Sequence, residues 1–132
     1  PEIYGRETLD DIRILCEEAC AHCGFAPDFR QTNHEGEMIE WIQQARGRVA
    51  GIVINAAAWT HTSLAIHDAL KIADAPIVEV HISDPKKRES FRHFSYVEPL
   101  AIKTFSGMGS KGYVMAIEAL STALNAANAP GL

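Results

Sequence analysis

Short apolar runs alternate along the chain with stretches whose apolar residues have helical spacing. The β-branched runs at residues 52–55 and 76–83 are typical of strands buried on both faces. Weaker strands are predicted at residues 27–31 and 100–106. Helical spacing predicts helices at residues 8–23, 37–45, 62–72 and 111–125. This alternation predicts an α/β fold with a doubly wound parallel sheet.

The first predicted helix has a clear start and contains a possible metal-binding motif. Thr8 and Asp11 have the spacing of a capping box, with Asp11 in place of the usual glutamate, and Gly24 ends the helix. The cysteines of this helix have a spacing that some iron–sulfur enzymes use: Cys16, Cys20 and Cys23. Because they lie within a helix and not on a loop, we interpret them as ordinary core or helix-surface residues.

Residues 107–112 match the pattern Gly-x-Gly-x-x-Gly between a strand and a helix, which can bind a dinucleotide pyrophosphate. That site also needs a following strand with an acidic residue about 20 positions further on. Here the chain finishes with one helix. We therefore attribute the glycines to a tight turn and close helix packing.

Composition limits the class of protein. The chain of 132 residues, 47% of them hydrophobic, is predicted to form a single catalytic domain over residues 1–132 that gains stability from oligomerisation. A net charge of −5 argues against nucleic acid or an anionic membrane as the main partner. No signal peptide or apolar run of about 20 residues is visible, so a cytoplasmic location is expected.

Polar residues follow the two strongest strands and predict a small-molecule site. Asn55 and His61 come after the first, whereas Glu79, His81 and Ser83 lie at the end of the second. In parallel α/β sheets ligands bind beyond the carboxyl ends of the strands, so these side chains should converge. Glu79 and His81 are two positions apart, hence on one face, where the carboxylate can orient the imidazole for acid–base chemistry.

No metal ion is expected, because the histidines lack convincing ligand spacing. The remaining four are interpreted as solvated or supporting groups: His22, His34, His67 and His93.

Five segments resemble the type II dehydroquinases in order and spacing. They are Pro-Glu-Ile-Tyr-Gly at 1–5, Gln-Thr-Asn-His-Glu-Gly-Glu at 31–37, Asn55 with Thr-His-Thr-Ser at 60–63, Val-Glu-Val-His-Ile-Ser at 78–83, and Phe-Arg-His-Phe-Ser-Tyr at 91–96. The resemblance implies a flavodoxin-like five-stranded parallel sheet. It also implies a hydro-lyase, 3-dehydroquinate dehydratase of the shikimate and quinate pathways, that uses neither cofactor nor metal and assembles as a dodecamer built from trimers.

The resemblance also implies residue roles. Tyr4 corresponds to the base, a tyrosinate whose ionised form Arg88 favours, while His81 corresponds to the general acid and Glu79 orients it. Substrate-binding positions correspond to Asn55, His61, Ile82, Ser83 and Arg92, together with Asp68 contributed by a neighbouring subunit of the trimer.

The chain departs from the family pattern in three places. Residues 56–58 are alanines where the family usually has Pro-Gly or Gly-Gly, which costs about 1 kcal/mol or more if the backbone there needs a positive φ. Asp84 replaces the usual asparagine and adds negative charge near an anionic substrate. The family's first strand and a catalytic arginine would lie upstream of Pro1, so another segment is expected to fill that place in the sheet.

Two other functions remain open from the sequence. A flavodoxin-like binding module for a flavin or a phosphoryl group would have the same fold. A catalytically impaired relative would have the same motifs but no turnover.

Overall fold

The structure is a computed structural model that describes residues 7–127. The helices and strands of this part of the chain are α1 (Leu9–Cys23), α2 (Glu35–Ala45), β1 (Ile52–Ile54), α3 (Leu64–Ile72), β2 (Ile77–His81), β3 (Lys103–Ser106) and α4 (Lys111–Ala127). The strands are parallel and lie in the order β1-β2-β3. None of these helices is both long and apolar enough to cross a membrane.

Helices cover both faces of the sheet. On one face, Ile66 and Leu70 of α3 pack with Ile77 of β2, in a cluster that also holds part of α2. On the other face, Val78 and Val80 of β2 pack against α4, to which α1 is attached by its own buried cluster. Successive residues of β2 face opposite sides of the sheet. Because helices cover both sides, β2 is buried along its whole length. The predicted doubly wound α/β fold is confirmed.

The predicted strand at residues 27–31 is wrong: within the described residues this segment is irregular and pairs with none of the three strands. A segment becomes a strand only when its backbone forms hydrogen bonds with a neighbouring strand, and the residue preferences of residues 27–31 do not show whether such a neighbour is present. The segment is fixed by side chains instead. Arg30 Nε lies 2.8 Å from Asp28 Oδ1, and its guanidinium lies over the Trp41 ring, 5.3 Å from the centroid.

The predicted signals at the helix ends are confirmed with small shifts. Thr8 Oγ1 accepts a hydrogen bond from the Asp11 amide at 3.1 Å, Asp11 Oδ2 accepts one from the Thr8 amide at 3.0 Å, and Gly24 ends α1 with a φ of 80°. Helix α3 begins later than predicted because Ser63 caps it, accepting from the Ile66 amide at 2.9 Å. The preceding residues Ala57–His61 form a 3₁₀ turn.

The cysteines and glycines have structural roles. Cys16 and Cys20 are buried beside Ile117 of α4, and burial raises the pKa of the Cys16 thiol to about 11, which leaves it protonated at neutral pH. A Cβ added at Gly112 would lie 3.1 Å from Val80 Cγ1, so the glycine allows α4 to approach β2 closely. The interpretation of the cysteines as core or helix-surface residues is confirmed, with Cys23 only partly buried, as is close helix packing at Gly112.

Ala57 has a φ of 51°, the left-handed conformation that glycine tolerates and alanine does not. Replacing Ala57 by glycine should raise the free energy of unfolding by about 0.5–1 kcal/mol, because relief of strain outweighs the added freedom of the unfolded chain. Urea denaturation of purified protein measures the change. Ala58→Gly is the control, because Ala58 is exposed in the same turn and has a negative φ. This substitution should lower the free energy of unfolding. Equal effects of the two substitutions would show that Ala57 is not strained.

Candidate active site

A cavity of about 250 Å³ lies beyond the carboxyl ends of β2 and β3. Its lining includes residues from both strands, from the loop that joins them and from the turn before α3. These residues are His61, Glu79, His81, Asp84, Pro85, Lys86, Arg92, His93, Ser95, Glu98, Thr104 and Ser106. The cavity is therefore where parallel-sheet geometry predicted a ligand site.

A hydrogen-bonded network around Glu79 forms the inner wall of the cavity. Glu79 Oε2 lies 2.7 Å from His81 Nε2 and accepts the Ser95 hydroxyl at 2.7 Å, whereas Oε1 accepts the Thr104 hydroxyl at 3.0 Å. Glu79 is 1% exposed and His81 8% exposed. The predicted pairing of Glu79 with His81 on one face of β2 is thus observed.

The same network decides the charge of Glu79. Burial by itself raises the pKa of the Glu79 carboxyl, but hydrogen bonds from His81, Ser95 and Thr104 outweigh burial, and the pKa lies below its ordinary value. A buried charge is tolerated only when it is paired and hydrogen-bonded. At neutral pH Glu79 is therefore a carboxylate that can hold the adjacent imidazole by a hydrogen bond.

His61 approaches His81 from the turn before α3. The two imidazole rings are nearly parallel, with centroids 6.4 Å apart and an interplanar angle of 17°. His61 Nδ1 lies 2.7 Å from the carbonyl oxygen of Phe94. Because a carbonyl can only accept, Nδ1 carries the hydrogen, and Nε2 is the acceptor of the neutral ring. His61 can therefore accept a hydrogen bond from a ligand hydroxyl.

The loop between β2 and β3 places cations at the cavity. Arg92 and Lys86 line it, and Arg92 Nε lies 3.1 Å from Glu89 Oε1. Arg88 is half-buried in the same loop, with Nε 3.8 Å from that oxygen, but it does not line the cavity. Asp84 does line it and accepts the Lys86 amide at 3.0 Å, which caps the turn that follows. The lining of the cavity therefore contains both acidic side chains, such as Asp84, and basic side chains, such as Lys86 and Arg92.

Four other predicted site residues lie within the described part of the chain but outside the lining of this cavity: Asn55, Asp68, Ile82 and Ser83. Asn55 is held at the end of β1, where its amide donates to the Tyr113 hydroxyl at 2.9 Å and accepts the Ala57 amide at 3.0 Å. Ile82 and Ser83 follow β2 directly, and the Ile82 carbonyl accepts the Gly109 amide at 3.0 Å. The remaining two are Asp68, exposed on α3, and Tyr4, which lies outside the described residues.

Sequence reasoning missed Ser95 and Thr104 as partners of Glu79. A signal for Thr104 exists: residues 104–106 alternate polar, apolar, polar, and the register of the sheet pairs Glu79 with Thr104 and His81 with Ser106. No local signal marks Ser95, which lies in the irregular part of the loop. His93, interpreted from sequence as solvated or supporting, lines the cavity, and its Nε2 lies 3.0 Å from the Arg88 carbonyl oxygen.

Comparison with known proteins agrees with this arrangement. The family model "Dehydroquinase class II" matches residues 1–121. The 3-dehydroquinate dehydratase 2 of Pseudomonas aeruginosa is 54% identical over 127 residues, which are 96% of this chain and 86% of the relative. The 3-dehydroquinate dehydratase of Streptomyces coelicolor is 51% identical over 130 residues, 98% of this chain and 83% of the relative.

Solved structures show the same similarity. The type II dehydroquinase from Propionibacterium acnes superposes with a TM-score of 0.87 at 43% identity, covering 92% of this chain and 84% of that one. A 3-dehydroquinate dehydratase-like protein from Bifidobacterium longum gives a TM-score of 0.72 at 37% identity, covering 88% and 87%. The fold is that of an α/β protein of flavodoxin-like type, with a hydrogen-bonded Glu79–His81 pair at the carboxyl end of its central strand. The chain belongs to the class II dehydroquinase family, as the sequence motifs predicted.

Proposed function

We propose that this chain is a 3-dehydroquinate dehydratase, a carbon–oxygen hydro-lyase that reversibly converts 3-dehydroquinate to 3-dehydroshikimate through an enolate. The observation that carries the proposal is the buried Glu79–His81 pair on a cavity at the carboxyl ends of the strands. Family membership and the sequence identity of 51% and 54% to two 3-dehydroquinate dehydratases support this reaction. The reaction belongs either to the shikimate pathway, which supplies aromatic amino acids, or to the catabolism of quinate.

The residues divide the reaction into a base step and an acid step. Tyr4, as tyrosinate, removes the proton from the carbon beside the ketone, and Arg88 favours its ionised form. His81 then gives a proton to the departing hydroxyl, which leaves as water. Because Glu79 Oε2 holds Nε2 of His81 at 2.7 Å, Nδ1 is the nitrogen that delivers the proton.

Other groups bind the substrate. Arg92 and Lys86 at the cavity attract an anionic ring acid, and the two residues after β2, Ile82 and Ser83, offer a backbone amide and a hydroxyl to its carboxylate. His61 and Asn55 bind ring hydroxyls. Asp84, present where the family usually has asparagine, opposes the cations and weakens substrate binding. No cofactor or metal takes part in this scheme.

The proposed enzyme is a homo-oligomer, a dodecamer built from trimers in the cytoplasm, in which Asp68 of one subunit reaches the site of the next. Exposed apolar side chains on the loop and on α3 support burial between subunits: Leu64, Ile72, Phe91 and Phe94. Within residues 7–127, the Asp68 carboxylate makes no hydrogen bond or ion pair and is exposed, as a residue that serves a neighbouring site should be.

A flavodoxin-like binding module is less well supported. A phospho-acceptor site needs clustered acids at a strand end, but β1 is followed by Asn55, and β2 ends at His81, which is bound to Glu79. A catalytically impaired relative would keep this geometry, and the strain at Ala57 is the feature that favours it.

An ultraviolet assay tests the function directly. The purified protein is mixed with 3-dehydroquinate, and the absorbance of the conjugated enone product is followed. We expect an absorbance rise that depends on enzyme concentration. Absence of a rise, combined with measurable binding of the substrate, would favour the impaired relative, and absence of binding would favour a different ligand.

A further inference from the structure

The Glu79 carboxylate is held by hydroxyl groups that the reaction scheme does not use. Ser95, from the loop after β2, donates to Oε2, and Thr104, from β3, donates to Oε1. We propose that Ser95 and Thr104 are positioning residues of the dehydratase, which fix the plane of the Glu79 carboxylate and thereby direct the proton-donating nitrogen of His81 at the substrate. This inference rests on the proposed function, since it assigns a role within that reaction.

The hydrogen bonds of Ser95 have only one possible direction at Glu79. Its Oγ accepts the backbone amides of Val97 at 3.1 Å and Glu98 at 3.0 Å, which occupies both lone pairs of the hydroxyl. The single hydroxyl hydrogen is therefore donated to Glu79 Oε2. Because Glu79 is a carboxylate at neutral pH, Oε2 carries no proton, so His81 Nε2, bound to the same oxygen, must be the donor. Ser95 thus keeps the Nε2 hydrogen of His81 on Glu79, and in the imidazolium form of the ring the second hydrogen, on Nδ1, is the one available to the substrate.

Ser95 itself is held on both sides by residues of the turn before α3 and of α3. Three hydrogen bonds do this: Phe94 O with His61 Nδ1 at 2.7 Å, Tyr96 N with Thr60 O at 2.8 Å, and Tyr96 O with His67 Nδ1 at 2.6 Å. A loop residue fixed before and after its own position has little freedom to move. Its hydroxyl can therefore act as a rigid support for Glu79.

Thr104 fixes the second oxygen from the opposite direction. It lies beside Glu79 in the parallel register of β2 and β3, and its hydroxyl is 3.0 Å from Oε1. The next residue, Phe105, is buried on the other face of the sheet against α4, which fixes the strand. Because each carboxylate oxygen has its own donor, rotation of the carboxylate would break bonds at both ends. Holding a catalytic group to within small angular limits is worth large rate factors.

Substitution of Thr104 separates this role from simple filling of space. Thr104→Val keeps the shape and removes only the hydroxyl, and should lower kcat for 3-dehydroquinate about 10-fold with little change in KM, as for loss of a hydrogen bond to a charged group. Thr104→Ser is the matched control, which restores the hydroxyl and should keep kcat within about twofold of the original. Thr104→Ala, a second hydroxyl-free variant, should show the same loss as Thr104→Val.

A double-mutant cycle tests whether the effect passes through Glu79. In a Glu79→Gln background, Thr104→Val should cause almost no further loss of kcat, because the charged acceptor is already absent. A hydroxyl that only stabilised the fold would instead lower activity by the same factor in both backgrounds.

Titration of the carboxyl group gives a readout that does not depend on turnover. The pKa of Glu79 should rise in Thr104→Val, measured by carbon-13 NMR of the free protein, because a hydrogen-bond donor to the charged form is lost. The acidic limb of the pH–rate profile should move to higher pH in the same variant. The other titratable and charged groups that line the cavity are His61, His81, Asp84, Lys86, Arg92, His93 and Glu98.

These outcomes separate the two proposals. An unchanged kcat and an unchanged Glu79 titration in Thr104→Val, or equal losses with and without Glu79→Gln, would overturn the positioning role alone, since the unsubstituted enzyme still turns over. If the unsubstituted full-length protein does not convert 3-dehydroquinate, the dehydratase function falls, and the positioning role in that reaction falls with it. Loss of kcat with Ser rescue and a raised Glu79 pKa supports the positioning role.

Discussion

Replacement of His81 by alanine should lower kcat for 3-dehydroquinate about 1,000-fold with little change in KM, the loss typical of removing a general acid. The leaving hydroxyl would then depart without a proton donor. Glu79 keeps the donors Ser95 and Thr104, so the cavity should retain its shape and the protein its fold. Steady-state kinetics with the ultraviolet assay measure the loss, and circular dichroism checks the fold.

A control histidine makes the result specific. His22 lies in the last turn of α1 and is exposed, so His22→Ala should leave kcat within about twofold. A His81→Ala enzyme that is folded and retains more than about a tenth of the original kcat would show that His81 is not the general acid.

The chemistry of the site could be predicted from sequence where it depends on strand geometry. Glu79 and His81 are two positions apart on a strand, so their shared face follows from the two-residue repeat, and the structure places their side chains 2.7 Å apart. The carboxyl ends of parallel strands meet at one edge, which predicted that His61 would lie near this pair. These inferences need only the order of the elements.

Features that depend on tertiary contacts could not be predicted in this way. Ser95 contacts Glu79 from 16 positions away along a loop, and its place is set by carbonyl contacts with His61 and His67 that no local pattern reveals. The hydrogen bonds of the Asn55 amide to the Tyr113 hydroxyl and the Ala57 amide likewise follow from no local pattern, and its role in substrate binding stays a prediction. The strand predicted at residues 27–31 failed for the same reason, since pairing is decided by a neighbour.

A site shared between subunits should give a large gain of activity when two inactive variants are mixed. Asp68 lies on α3, whose buried residues Ile66, Ala69 and Leu70 face the sheet, and its exposed carboxylate does not line the cavity of its own chain. If it serves a neighbouring site, oligomerisation is a catalytic requirement. Tyr4→Phe and Asp68→Ala proteins should then each be nearly inactive, because one lacks the base and the other removes a group from the next site.

The two variants are unfolded together in equal amounts and reassembled, with different tags to verify that mixed oligomers form. In a cyclic trimer, a site is complete when its own chain has Tyr4 and the adjacent chain has Asp68, which random mixing gives for about a quarter of the sites. Activity should therefore return to about a quarter of that of the reassembled original enzyme, whereas each variant reassembled alone stays inactive. If both residues belonged to the site of one chain, each site in the mixture would lack one of them. Verified mixed oligomers with no more activity than the separate variants would reject the shared site, because no arrangement of the chains could then complete it.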